Sequence, residues 1–162
     1  MKLHGYIAAL LMVCSSAPLA IAQSGQSNLN GTTNGEQYVP RLGDIMNAVQ
    51  TRHIKLWLSG KALNWELAAY ELRQLKAGLL EAAVMYEGIP VSNVTTMTKP
   101  VQSISDAIDA KDFKRFTKAV VELTDGCNSC HQTMQRGYIV LKMPTASPFF
   151  SDESFAPQKK KP

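Results

Sequence analysis

Cysteine and histidine are both scarce in this chain, at 3 each among 162 residues. So few cysteines exclude a scaffold stapled by several disulfides. A structural zinc site needs four ligands, commonly two separated pairs, and the histidines are poorly placed to supply the second pair. No stretch interleaves a dense Arg/Lys stripe with aromatic residues, and Lys159, Lys160 and Lys161 stand in a terminal tail, so nucleic acid is not an expected partner. Neither an internal repeat nor a strand-like alternation is visible. No constellation of paired carboxylates or Ser/His/Asp type is legible, and no enzymatic activity is expected. What remains is an ordinary globular composition, 45% hydrophobic and 19% charged, enough for one domain with one core. The net charge of +4 and pI near 9.0 describe a mildly basic surface, suited either to plain solvation or to docking on an acidic partner.

The beginning of the chain reads as an export signal over residues 1–22. Lys2 precedes an apolar run from Ile7 to Val13, and Ala20-Ile21-Ala22 fits the small-residue rule for cleavage. That run is well short of the roughly 20 residues a spanning helix needs, so a soluble protein is expected once the signal is removed. Cys14 would leave with it, and the mature chain would keep only Cys127 and Cys130. Residues 23–39, rich in Gly, Ser, Asn and Thr, read as a flexible lead-in.

Helical periodicity dominates residues 40–143. Leu42, Ile45, Met46, Val49 and Leu56 recur at steps of three and four, with His53 in the same register, and Gly60 stands where a helix C-cap is expected. Asn64 is a suitable N-cap for a second helix reaching about Glu87, with Trp65, Ala68, Leu72, Leu75, Leu79, Ala82 and Tyr86 on one face. Residues 91–99 read as a connection, and Pro100 fits the first turn of a third helix carrying Val101, Ile104 and Ile108. A fourth helix from about Lys111 turns Phe113, Phe116, Val120 and Leu123 inward. The same step reaches Cys127, Cys130 and Met134, with Gly126 weakening the helix and admitting a large group. Residues 144–162 form a Pro-rich, irregular tail whose Phe149, Phe150 and Phe155 are candidates to cover apolar surface. The expected fold is all-α, an antiparallel four-helix bundle with an irregular C-terminal tail.

One motif carries chemistry. Cys127-Asn128-Ser129-Cys130-His131 matches C-x-x-C-H, the attachment sequence of c-type haem. Two thiols one helical turn apart can form thioethers to the two vinyl groups on one porphyrin edge, and the adjoining His131 is then placed to take the iron. The rival readings are a thioredoxin-like redox pair, for which the expected βαβ context is missing, a zinc site short of ligands, and a disulfide closing a loop too short to stabilise much.

A helical chain with this motif near its C-terminal end resembles the class II cytochromes c, the four-helix family that includes cytochrome c-prime. The runs from Gln50 to Trp57 and from Asn64 to Leu72 are similar to those of small exported bacterial mono-haem cytochromes. The resemblance covers roughly Leu42 to Phe155, and the segment from Tyr138 to Phe155 extends beyond where cytochrome c-prime ends. It implies one covalent haem c, a periplasmic location, and redox proteins as partners, and it admits a homodimer.

The sixth iron ligand decides the activity. In an up-down bundle the start of the first helix lies beside the end of the last, which puts Met46 at the height of His131. Some class II cytochromes take a first-helix Met as sixth ligand, so Met46 is the candidate the resemblance favours, with plain core filling as its other role. His53, two turns further on, is the alternative ligand; a contact to a haem propionate or a buried hydrogen bond would equally explain it. Trp57, Trp65, Phe113, Phe116 and Tyr70 are candidates for bundle core or haem pocket, and Arg52 and Lys55 for propionate pairing or solvated surface. The leading expectation is a periplasmic mono-haem electron carrier. The alternative is a five-coordinate haem protein that binds NO or CO, and a third reading is a haem-free protein with Cys127 and Cys130 as a thiol/disulfide switch.

Overall fold

The computed structural model describes residues 39–89, 91–148 and 153–158. The expected leader, all of the lead-in but Val39, Phe149, Phe150 and the terminal lysines lie outside them. Every regular element among the described residues is helical: α1 (Leu42–Lys61), α2 (Trp65–Met85), the short α3 (Val91–Thr96), α4 (Thr98–Asp109) and α5 (Phe113–Thr133). The fold class is all-α. No helix among the described residues is long and apolar enough to cross a membrane.

Helix α1 begins after the extended Arg41, whose guanidinium pairs with Asp44 at 2.8 Å. That carboxylate in the first turn complements the positive end of the helix dipole. Ile45, Val49, His53 and Leu56 form its buried face. Gly60, expected to cap the helix, instead lies inside it, and the left-handed residue that turns the chain is Leu63, at φ 57°. A different requirement explains the glycine: a Cβ there would lie 2.1 Å from a ring carbon of Phe116. Close packing and helix termination both call for glycine, and the sequence does not distinguish them.

Asn64 caps α2 through its side-chain oxygen, which accepts from the Leu67 backbone N–H at 3.2 Å. Ala68, Leu72, Leu75 and Ala82 are buried along it. The carboxylate of Glu71, also buried, is met by Arg52 at 3.2 Å. Arg52 and Lys55 are thereby both accounted for within the fold, since Lys55 pairs with Glu153.

The expected connection over 91–99 proves mostly helical, as α3 followed by the first turn of α4. Thr95 and Thr96 donate their hydroxyls to the carbonyls of Ser92 and Asn93 at 2.9 and 2.8 Å, occupying acceptors of this short turn. Met97, at the joint, is 4% exposed. Its burial outweighs the few tenths of a kcal/mol per residue (roughly) by which β-branched residues disfavour helix. Pro100 sits in the first turn of α4, where its missing N–H has no partner to lose.

Asp112 caps α5, accepting from the Arg115 N–H at 3.0 Å. The helix does not falter at Gly126 but runs through the whole CNSCH motif to Thr133. The large group that Gly126 admits is the Met97 side chain, whose Sδ and Cε would stand 2.9 Å from a Cβ at that position.

The helices pack α1 on α2 and α4 on α5, with α2 touching α4 and α1 touching α5. The second half of α1, the start of α2 and the start of α5 share an aromatic cluster. Phe116, wholly buried, stacks on Trp57 with centroids 6.4 Å apart and meets Trp65 edge-on at 5.8 Å. Phe113 joins the stack against Trp57 at 6.1 Å. Such pairs add about 0.5–1.5 kcal/mol each beyond their area burial.

After α5 the chain forms no strand among the described residues, but it does not drift free. It returns as a strap pinned by polar contacts: Asn128 to Leu141, the Thr124 hydroxyl near Met143 Sδ at 3.4 Å, and the Trp57 indole N–H to the Pro144 carbonyl at 3.0 Å. Beyond it Glu153 reaches Lys55, and the Ala156 carbonyl accepts from Asn64 at 3.3 Å.

Candidate functional site

The half of the molecule opposite the aromatic cluster is hollow. A cavity of about 490 Å³ opens between the first half of α1, the latter part of α2, α3, the end of α5 and the strap. Its size falls inside the roughly 300–1,000 Å³ typical of small-molecule and cofactor sites. Leu42, Val49, Leu79, Ala82, Ile89, Val94 and Leu141 supply an apolar wall, and Met46, Met97 and Met134 add three thioethers. The same cavity is lined by Cys127, Cys130 and His131. Continuous helix through the motif is what delivers all three residues to one wall.

Of the residues singled out from the sequence, the structure brings Met46, Cys127, Cys130 and His131 together on this cavity. His53 is not among its lining residues. It is buried toward the middle of the molecule, where its Nε2 lies 2.8 Å from Thr124 Oγ1. That hydroxyl sits 2.8 Å from the Val120 carbonyl, which can only accept. The single hydroxyl proton goes there, so His53 Nε2 is the donor to Thr124. Burial pulls the imidazole below its ordinary value of 6.5, keeping it neutral. The aromatic residues Trp57, Trp65, Phe113 and Phe116 belong to the far cluster and do not line the cavity.

Both thiols are free of disulfide. Burial, and after it the neighbouring Cys130, raises Cys127 to about 11. Burial likewise raises Cys130, opposed by interaction with the Asn93 side chain. Both are therefore protonated at neutral pH. A thiol/disulfide switch works through a thiolate with a depressed pKa, and these two have the opposite setting. Among the described residues no group of three or more His, Cys, Asp and Glu side chains is arranged to hold one metal ion.

His131 is partly exposed in the last turn of α5, and its Nδ1 lies 2.8 Å from the Ile139 carbonyl. A carbonyl only accepts, so Nδ1 carries the proton and Nε2 keeps its lone pair, the tautomer required of a metal-ligating imidazole. Arg136 is the cation on the cavity rim, and Asn93 adds its side-chain amide to the lining beside Cys130.

Several of these residues gave no functional signal in the sequence. Nothing in the sequence sets Met97 apart as a cavity residue, and Asn93 stands in the polar connection of residues 91–99. Ile139 acts through its backbone, which no side chain advertises. Asn128 occupies one of the two unspecified positions of the motif. Neither a protein-family model, nor a curated protein, nor a solved structure matches this chain.

Proposed function

We propose that this chain is an exported, periplasmic mono-haem c-type cytochrome that carries electrons, folded as an antiparallel four-helix bundle of the class II kind. The observation that carries the reading is the convergence of Cys127, Cys130 and His131 on one apolar cavity, with His131 already in the Nδ1-protonated tautomer. The antiparallel arrangement is supported by where the chain's halves meet. The start of α1 shares the cavity with the end of α5, while the end of α1 shares the aromatic cluster with the start of α5.

Each residue has a definable task. Cys127 and Cys130 would fix the porphyrin edge through thioethers, and their protonated state suits addition of S–H across a vinyl group. His131 would offer Nε2 to the iron. Haem supplies the one-electron redox chemistry, and the protein sets its ligation, dielectric and access. The apolar wall excludes water, and Met46 is the lining residue on α1 able to offer a thioether sulfur as sixth ligand. Redox partner proteins, and a homodimer as the family resemblance admits, belong to this reading. The basic balance of the chain favours partners with acidic surfaces.

The experiment is expression with the leader intact in a host that matures c-type cytochromes, followed by denaturing electrophoresis and a haem stain. Covalent colour on the chain, lost in the Cys127→Ala/Cys130→Ala double variant, is the expected result; a bare polypeptide mass in the exported wild type would falsify the proposal. The reduced visible spectrum before and after CO then separates carrier from gas binder. A low-spin spectrum indifferent to CO, turning high-spin and CO-sensitive in Met46→Ala, marks an electron carrier with Met46 on the iron. A CO-sensitive parent marks the five-coordinate NO- or CO-binding alternative.

A further inference from the structure

The strap after α5 makes its most complete polar contact at a single side chain. Asn128 Nδ2 donates to the Leu141 carbonyl at 3.0 Å, and the Leu141 N–H donates back to Asn128 Oδ1 at 2.8 Å. The amide thus satisfies both backbone groups of Leu141, as a neighbouring strand would. Two residues earlier in the strap is Ile139, whose carbonyl accepts from His131 Nδ1. One turn of α5 separates Asn128 from His131, so the helix and the strap form a short closed frame with the Asn128 pair on one side and the His131 bond on the other. Further along, the Trp57 N–H holds the Pro144 carbonyl at 3.0 Å and fixes the strap's path.

We propose that Asn128 is a positioning residue for the metal ligand: by clamping Leu141 it holds the Ile139 carbonyl on His131 Nδ1 and so fixes the ring's tautomer and orientation. The proposal rests on the haem reading for its redox consequence but not for its structural core. An imidazole that donates Nδ1–H to a fixed carbonyl is a more basic ligand and favours the oxidised metal. Loss of the clamp weakens that bond and raises the midpoint potential.

The test has two arms, both on the full mature chain. In the cofactor-free protein, nitrogen NMR of the His131 ring reads the tautomer directly. The parent is expected to show Nδ1–H, and Asn128→Ala a mixture with Nε2–H; Asn128→Asp, which still accepts from the Leu141 N–H, is expected to lie between. In the haem-loaded protein, Asn128→Ala is expected to raise the midpoint potential, Asn128→Asp to raise it less, and Trp57→Phe, which releases the strap further from His131, least. If Asn128→Ala fails to fold, the Asp and Phe variants carry the same ordering. Thermal melting alongside separates positioning from bulk stability. Variants that melt earlier yet keep the parent's tautomer and potential would overturn the assignment. Absence of haem from the exported chain sinks the functional reading alone, because the tautomer arm needs no cofactor.

Discussion

The two ends of this molecule are built on opposite plans. At one end Trp57, Trp65, Phe113 and Phe116 interlock so tightly that Gly60 is needed to let α1 past the Phe116 ring. At the other, methionines and small aliphatic residues surround about 490 Å³ of space, and Gly126 is met only by the tip of Met97. Planar rings in contact leave no slack, whereas thioether side chains yield and re-pack. The difference suits a division of labour: the aromatic end supplies the stability that a hollow end forgoes, and the hollow end stays adaptable.

The same substitution made at both ends breaks or sharpens this contrast. Gly60→Ala, which sets a methyl 2.1 Å from the buried Phe116 ring, is expected to destabilise by about 3 kcal/mol or more, the upper range of overpacking, as read by the urea midpoint. A near-neutral result would mean the aromatic end is as soft as the other.

The second test addresses the middle, where His53 joins α1 to Thr124 of α5. Burial lowers the His53 pKa in the folded state beneath the 6.5 of the unfolded chain. Between those two values the unfolded state binds the proton and the folded state does not. Stability is therefore intact above about pH 6.5 and falls as the pH drops through that window. Urea midpoints measured from pH 7.5 downward should show the decline in the parent and a flatter profile in His53→Gln. Identical profiles would remove His53 from the account.

Gly126→Ala is the smallest expected effect. The 2.9 Å contacts are with the flexible end of Met97, beside open space, and the roughly 1 kcal/mol gained by replacing a mid-helix glycine offsets the displacement. A change within about 0.5 kcal/mol of zero in the cofactor-free protein is expected, and a loss as large as that of Gly60→Ala would show that the hollow end is rigid.

Much of this architecture is legible in the sequence alone. The period of three to four residues marks α1, α2 and α5, Asn64 announces its cap, and the CNSCH run marks residues that line the cavity. What stayed hidden has physical reasons. Val94, Thr95 and Thr96 carry β-branched side chains, yet their segment coils ahead of the buried Met97. His53 keeps the register of Met46 on α1, yet the wall of the cavity ends before reaching it, and a hollow leaves no trace in periodicity. The strap is bound mainly through the backbone groups of Ile139, Leu141, Pro144 and Ala156, which are common to every residue type.

The strap also imposes an order on assembly. Its contacts with α5 close loops of 8, 13 and 19 residues, while Pro144 and, beyond it, Glu153 and Ala156 reach α1 and the Asn64 cap of α2 across 87, 98 and 92. Since the entropy lost in closing a loop grows with its length, docking should zip outward from His131 toward the distant helices. Residues 139–158 also follow the CNSCH segment in synthesis. For that interval a nascent His131 has no Ile139 carbonyl to hold it, and its imidazole is free to turn.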